Sequence, residues 1–297
     1  MKKLFKWGFA TIALGALVWY LCIKEYDYQI RFEAKTTVGT INQSIKSWNS
    51  SLENPQPIQQ ISENELLQTI IKKDTVYEYL WQLTAKETGV AVTAFVKENE
   101  RSLTNRLQIP FSETAFEKKT TTTVKSFLSS LTQHLKEIKI TIEGEAISPD
   151  SYAACVHLKT LQIRKAKGMM ENFSLLSSFI ADNQLEPNGK PFVDILDWNR
   201  VTDSLNYRFC FPFIIKDSIP SHPLISTEKI SSTKSLKAIY NGNYITSDRA
   251  WYALEEYAKK NHISIDMHPI EVFHNNPNMG GDELQWVTEV YIPIKED

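Results

Sequence analysis

The period of the apolar positions changes along the chain, and each change predicts an element. Over residues 7–23 the run WGFATIALGALVWYLCI is uncharged and apolar, close to the ~20 residues that cross a bilayer as a helix. Tyr28, Ile30 and Phe32 then alternate with polar neighbours, the period of a half-buried strand. Val38, Ile41, Ile45 and Trp48 recur at helical spacing until Asn54, Pro55 and Pro57 break the pattern. Strand-like runs follow at 66–71, 76–83, 89–96 and 103–109, with short polar connections that imply hairpins. After Pro110, Val124, Phe127, Leu128, Leu131 and Leu135 mark one stripe of a long amphipathic helix over 112–138.

Beyond residue 140 the pattern repeats. Two stretches, beginning at Tyr152 and Leu236, each read strand, helix, then a set of strands. In the first, ENFSLLSSFIADN leads to GKPFVDILDWN and closes on YRFCFPF; in the second, SDRAWYALEEYAKKNH leads to HPIEVFHNNP and closes on TEVYIPI. For the second helix, Ser247 is a cap, Asp248 suits the positive end of the dipole, and Trp251, Leu254, Tyr257 and Ala258 form an apolar stripe. Asn261 is a left-handed stop, and Gly280-Gly281-Asp282 predicts a loop between strands.

Charge narrows the function. With 33 basic and 35 acidic residues the net charge is −2, so no global field draws the chain onto phosphate backbones, and nucleic acid is not expected as a partner. The apolar N-terminal run is preceded by Lys2, Lys3 and Lys6 and followed by Lys24, Glu25 and Asp27. This pattern predicts an uncleaved single-pass anchor over residues 1–24, favoured over a cleaved signal, with the remaining domains on the periplasmic side. Of three cysteines Cys22 lies in that run, and Cys155 with Cys210 reads as two buried thiols in preference to a bridge. No catalytic or zinc motif is present, and His262, His268 and His274 do not make a metal site, so no cofactor or metal is expected.

Residues 25–140, with their order of strand, helix, antiparallel strands and long closing helix, resemble the START-like helix-grip family, also called SRPBCC or polyketide cyclase. That resemblance implies a curved sheet gripping the helix around a cavity, which Tyr77, Tyr79 and Trp81 could line, although a plain aromatic core face is the stronger reading. In residues 141–297, AIYNGNY, the helix after it, IEVFHNNP and ELQWVTEVYIPI resemble the GyrI-like effector-binding domain found fused to AraC-type regulators. The fold class expected is thus α+β: a transmembrane helix, a START-like sheet, and two pseudo-twofold βαβββ halves over about 141–216 and 235–297.

The GyrI-like resemblance implies a groove between the halves for small, often cationic and aromatic, molecules; where Arg208 reaches the groove and neutralises its acid, a zwitterionic, anionic or neutral ligand is the alternative. It places the family's ligand-binding acid at Glu289, and alternation along TEVYIPI puts Tyr291 on the same face. Arg208 takes the pseudo-symmetric place in the first half, and Tyr244, Trp198 and Phe273 are candidate aromatic walls beside Tyr207 and Trp286. The function expected is a membrane-anchored, non-catalytic small-molecule-binding protein; the alternative is a hydrolase or cyclase using Glu289 as acid or base.

Overall fold

The computed structural model describes residues 2–216 and 219–295, without the side chains of residues 2–6, 10 and 278, so the Lys2, Lys3 and Lys6 charges lie outside the described part. The chain divides into two compact units, residues 1–131 and 132–297.

The expected membrane-spanning helix is overturned: among the described residues no helix is long and apolar enough to cross a membrane. Helix α1 (Lys2–Val18) has 17 residues, about 26 Å of rise against a hydrocarbon core of ~30 Å. The rest of the apolar run leaves α-helical geometry for a π-turn at Trp19–Ile23. The single-pass localisation and the membrane partner inferred from that helix are withdrawn with it.

The first unit continues with β1 (Tyr28–Ala34), α2 (Val38–Ser50), β2 (Gln59–Ser62), β3 (Glu65–Lys72), β4 (Thr75–Lys86), β5 (Gly89–Glu98), α3 (Ser102–Gln108) and α4 (Ala115–Lys136), whose last turn passes into the second unit. All strand pairs are antiparallel, in the order β1-β5-β4-β3-β2. Thr37 caps α2 by accepting from Thr40 N at 3.2 Å, and Ile41, Ile45 and Trp48 on its inner face are buried. Tyr77, Tyr79 and Trp81 alternate inward along β4 and pack against α4, with Trp81 and Phe127 ring centroids 5.1 Å apart. Residues 103–109, expected as a strand, are α3 instead: Leu103 and Leu107 stand one helical turn apart, and Arg106 turns inward to the Asp27 carboxylate at 2.8 Å.

The second unit holds β6 (Lys139–Ile147), β7 (Ser151–Leu161), α5 (Lys165–Asp182), β8 (Phe192–Asn199), β9 (Ser204–Phe213), β10 (Ser226–Ile230), β11 (Lys234–Asn241), α6 (Arg249–Lys260), β12 (Ile270–Phe273) and β13 (Val287–Pro293). Its single sheet has the order β10-β7-β9-β8-β12-β13-β11-β6, which maps onto itself when the copies are exchanged. Each copy reads strand, strand, helix, strand, strand, not βαβββ, and the leading strand pairs with the other copy: β6 with β11, β10 with β7.

That exchange bends the sheet. Six strand spacings of ~4.8 Å separate β6 from β7 in the sheet order, about 29 Å if flat, yet residues 148–150 reach only about 14 Å. The edges therefore curl together at the two crossings, where Ser148 N donates to Thr233 O at 2.9 Å and Thr233 N donates to Ser148 Oγ at 2.9 Å.

Helices α5 and α6 cover one face through Leu176, Phe179, Trp251 and Leu254. The inner face buries itself, since Ala153, Cys155, Phe192, Cys210, Ile230, Ile270, Val272 and Tyr291 all lie on strands and are 0–8% exposed. Cys155 and Cys210, expected as separate thiols, face each other across β7 and β9 and are joined as a disulfide.

Candidate functional site

A cavity of about 320 Å³ opens at the seam between the two copies, on the helical side of the sheet. Its size is at the small end of the range for drug-sized pockets. Met169 and Phe173 of α5 and Phe209 of β9 come from the first copy, while Tyr244, Phe273 and Trp286 come from the second. Tyr244 sits 4.8 Å from Phe273 and 5.5 Å from Trp286, ring centroid to centroid, in tilted contact. Its hydroxyl donates to Asn275 O at 3.2 Å and accepts from Asn275 N at 2.9 Å, which fixes the ring. Burial pushes the Tyr244 phenol up to about 12 against the opposing backbone bond, so it stays neutral at physiological pH.

The GKPF segment forms the mouth. Gly189 holds a φ of +119°, a conformation that favours glycine, and turns the chain so that Lys190 and Pro191 border the cavity. Pro191 O accepts from Phe273 N at 3.0 Å and ties this border to the aromatic wall.

Glu289 lies on the other face of the sheet, beside Val272 in register. Its carboxylate is already engaged: Lys237 Nζ is 3.0 Å from Oε1, the Tyr291 hydroxyl donates to Oε2 at 2.8 Å, and His274 Nε2 is 3.6 Å away. Burial alone would raise the Glu289 pKa, but the bonds from Lys237 and Tyr291 outweigh it and hold the carboxyl below its usual range. Burial likewise acts to lower the Lys237 pKa, and its bonds to Glu289 and Glu143 override this and raise it.

The remaining expected residues do not converge on either place. Arg208 pairs with Asp194 and, at 3.1 Å, with Glu228, so Arg208 and Glu289 are engaged by other partners and do not pair with each other. Trp198 donates to Gln162 Oε1 at 2.9 Å and packs edge-on against Trp251. Tyr207 is core, donating to Lys165 O at 3.1 Å across Gly168, where a Cβ has no room.

A buried ion pair beside the cavity was not anticipated. Lys165, next to the cavity-lining Ala166, pairs with Glu271, and both side chains are fully buried. Lys165 Nζ also donates to Ser247 Oγ at 2.9 Å and lies 4.7 Å from the Trp251 ring centre. Ser247, expected as a helix cap, is thus committed to the lysine, and Asp248 occupies the cap position without a side-chain cap bond. Desolvation raises the Glu271 pKa against the opposing pull of Lys165, and its Oε1 has no hydrogen-bond partner. Among the described residues no group of three His, Cys, Asp or Glu could hold a metal ion.

No family model matches the chain. No curated protein matches it. Among solved structures, the EcmrR C-terminal domain is similar at 13% identity and a TM-score of 0.44, covering 54% of this chain and 99% of that one. SAV2435 bound to tetraphenylphosphonium is similar at 14% identity and a TM-score of 0.34, covering 54% of this chain and 94% of that one. A hydrolase from Listeria innocua is similar at 8% identity and a TM-score of 0.34, covering 55% and 98%. At these scores the likeness says nothing of what this chain binds, and it lends nothing to the START-like resemblance.

Proposed function

We propose that the second unit is a small-molecule-binding module without catalytic chemistry, and that its ligand is a compact aromatic compound held at the seam between the two copies. One observation carries this reading: a cavity walled by Tyr244, Phe273, Trp286, Phe173 and Phe209, drawn from both copies. Aromatic walls contribute apolar area together with ring-to-ring geometry, and a pocket of this kind with a few polar groups at its mouth is the usual form of a ligand site. Glu289 supports a non-catalytic role, because a carboxylate held ionised by Lys237 and Tyr291 is a poor proton donor near neutral pH.

The test is calorimetric titration of the full chain with neutral 2-methoxynaphthalene. Binding should weaken at least tenfold in Trp286→Ala, which removes a wall, and be lost in Ala166→Leu, which fills the void, while Glu289→Gln binds as wild type. Dependence on Glu289 with indifference to Trp286 and Ala166 would move the site to the inner face and overturn the cavity.

A further inference from the structure

The charges around the cavity define its ligand further, on the condition that the cavity is the binding site. None of its lining residues is acidic, and its basic residues are Lys190 at the mouth and His274, whose Nε2 lies 3.6 Å from Glu289 Oε2. Lys190 is exposed and has no ion-pair or hydrogen-bond partner among the described residues. The nearby carboxylate of Glu283 accepts from Asn243 Nδ2 at 2.7 Å. Ala166 sets the first turn of α5, the positive end of an 18-residue helix, against the same wall. Glu271 lies close in sequence to Phe273, yet it is engaged by Lys165 in a fully buried pair.

An aromatic slot with a cation at its mouth and no facing carboxylate discriminates by charge. A cationic aromatic would bring its charge toward Lys190 and the helix terminus, with no anion on the wall to meet it. An aromatic anion would place its rings between Tyr244, Phe273 and Trp286 and its charged group at the ammonium, a charge-assisted contact. We infer that the ligand is an aromatic anion, of the carboxylate or sulfonate class, with one or two fused rings.

Three probes of one shape separate this inference from the reading it rests on: naphthalene-2-carboxylate, trimethyl(2-naphthyl)ammonium and neutral 2-methoxynaphthalene, each titrated into the full chain at pH 7 and low salt. The carboxylate should bind at least tenfold tighter than the ammonium, a difference of about 1.4 kcal/mol. Lys190→Gln should shrink that ratio to within threefold, with the affinity for the neutral probe as the reference in each protein. Equal or tighter binding of the ammonium, or a ratio untouched by Lys190→Gln, overturns the charge assignment while the cavity stands. Failure of all three probes to bind overturns the cavity and the inference together.

Discussion

A chain of polar groups in the first unit and a pair in the second are buried in different ways. In the first, the buried Asp27–Arg106 pair aside, polar groups under α2 are neutral and form a chain: Trp81 Nε1 donates to Gln68 Oε1 at 2.9 Å, Gln68 Nε2 to Asn49 Oδ1 at 2.8 Å, and Asn49 Nδ2 to Gln56 O at 2.9 Å. Every link is matched, and aromatic rings fill the space around it. In the second, an acid and a base face each other at the heart of the sheet, Lys165 against Glu271, and Glu271 Oε1, Trp251 Nε1 and Thr288 Oγ1 have no partners. A neutral chain specifies a packed core, whereas a charged pair must overcome a desolvation penalty of several kcal/mol per ion.

The largest effect should come from breaking that pair. Lys165→Met leaves a carboxylate unpaired at zero exposure and should lower stability by about 3–5 kcal/mol in urea unfolding. Adding Glu271→Leu should recover most of the loss, because two apolar side chains need no counter-charge. A loss below about 1 kcal/mol in the single variant would mean that the pair does not stand apart from ordinary polar contacts.

Acid should sharpen the same contrast. All six histidines lie in residues 132–297, so the first unit has none to titrate. His134, on the last turn of α4, has its pKa pushed down to about 4, first by burial and then by the nearby Arg249 cation, against the opposing pull of Asp248 and Glu137. Its folded pKa lies below the unfolded value of ~6.5, so the unfolded state binds more protons across that window. Stability of the second unit should therefore fall as pH drops from about 6.5 to 4, by at most about 3 kcal/mol. His134→Gln should flatten that slope, and amide exchange in β3 and β4 should not follow it. A slope shared by both units would assign it to other groups.

What could be read from the sequence follows the same division. Elements set by local periodicity are legible: the α2 stripe of Ile41, Ile45 and Trp48, the inward alternation of β4, and α6 with its buried Trp251 and Leu254 all match the spacing of their apolar residues. Finer local features are less so. The left-handed residue after α6 is His262, at φ 56°, and not Asn261, because Asn261 remains near the bridge region at φ −102° and bonds Tyr257 O. In α3, the i,i+4 pair Leu103 and Leu107 was a helical signal within an apparently alternating run.

Features created by strand order were out of reach. Cys155 meets Cys210 only because β7 neighbours β9 in that register. Likewise Tyr244 and Phe273 share a cavity while Glu289 and Tyr291 share the opposite face, and only the pairing of β12 with β13 separates them. Strand alternation could have found Glu271: with Ile270 and Val272 on one face, the carboxylate must share the Phe273 face and meet the helices. Lys165 had no comparable local mark.

The smallest effect belongs to the first unit and sets the scale for the others. Gln68→Leu removes the middle of the neutral chain and strands Trp81 Nε1 and Asn49 Oδ1 in a region where Gln68 itself is fully buried. Two neutral groups left without partners should cost about 2 kcal/mol in all, since each retains its desolvation penalty but neither is ionised. Asn49→Leu in the same background removes one of the two stranded groups, so the double variant should lose less than the sum of the single variants. Urea unfolding of the three variants checks this. A loss in Gln68→Leu as large as that in Lys165→Met would erase the distinction between the neutral chain and the acid-base pair, because burial depth alone would then govern both.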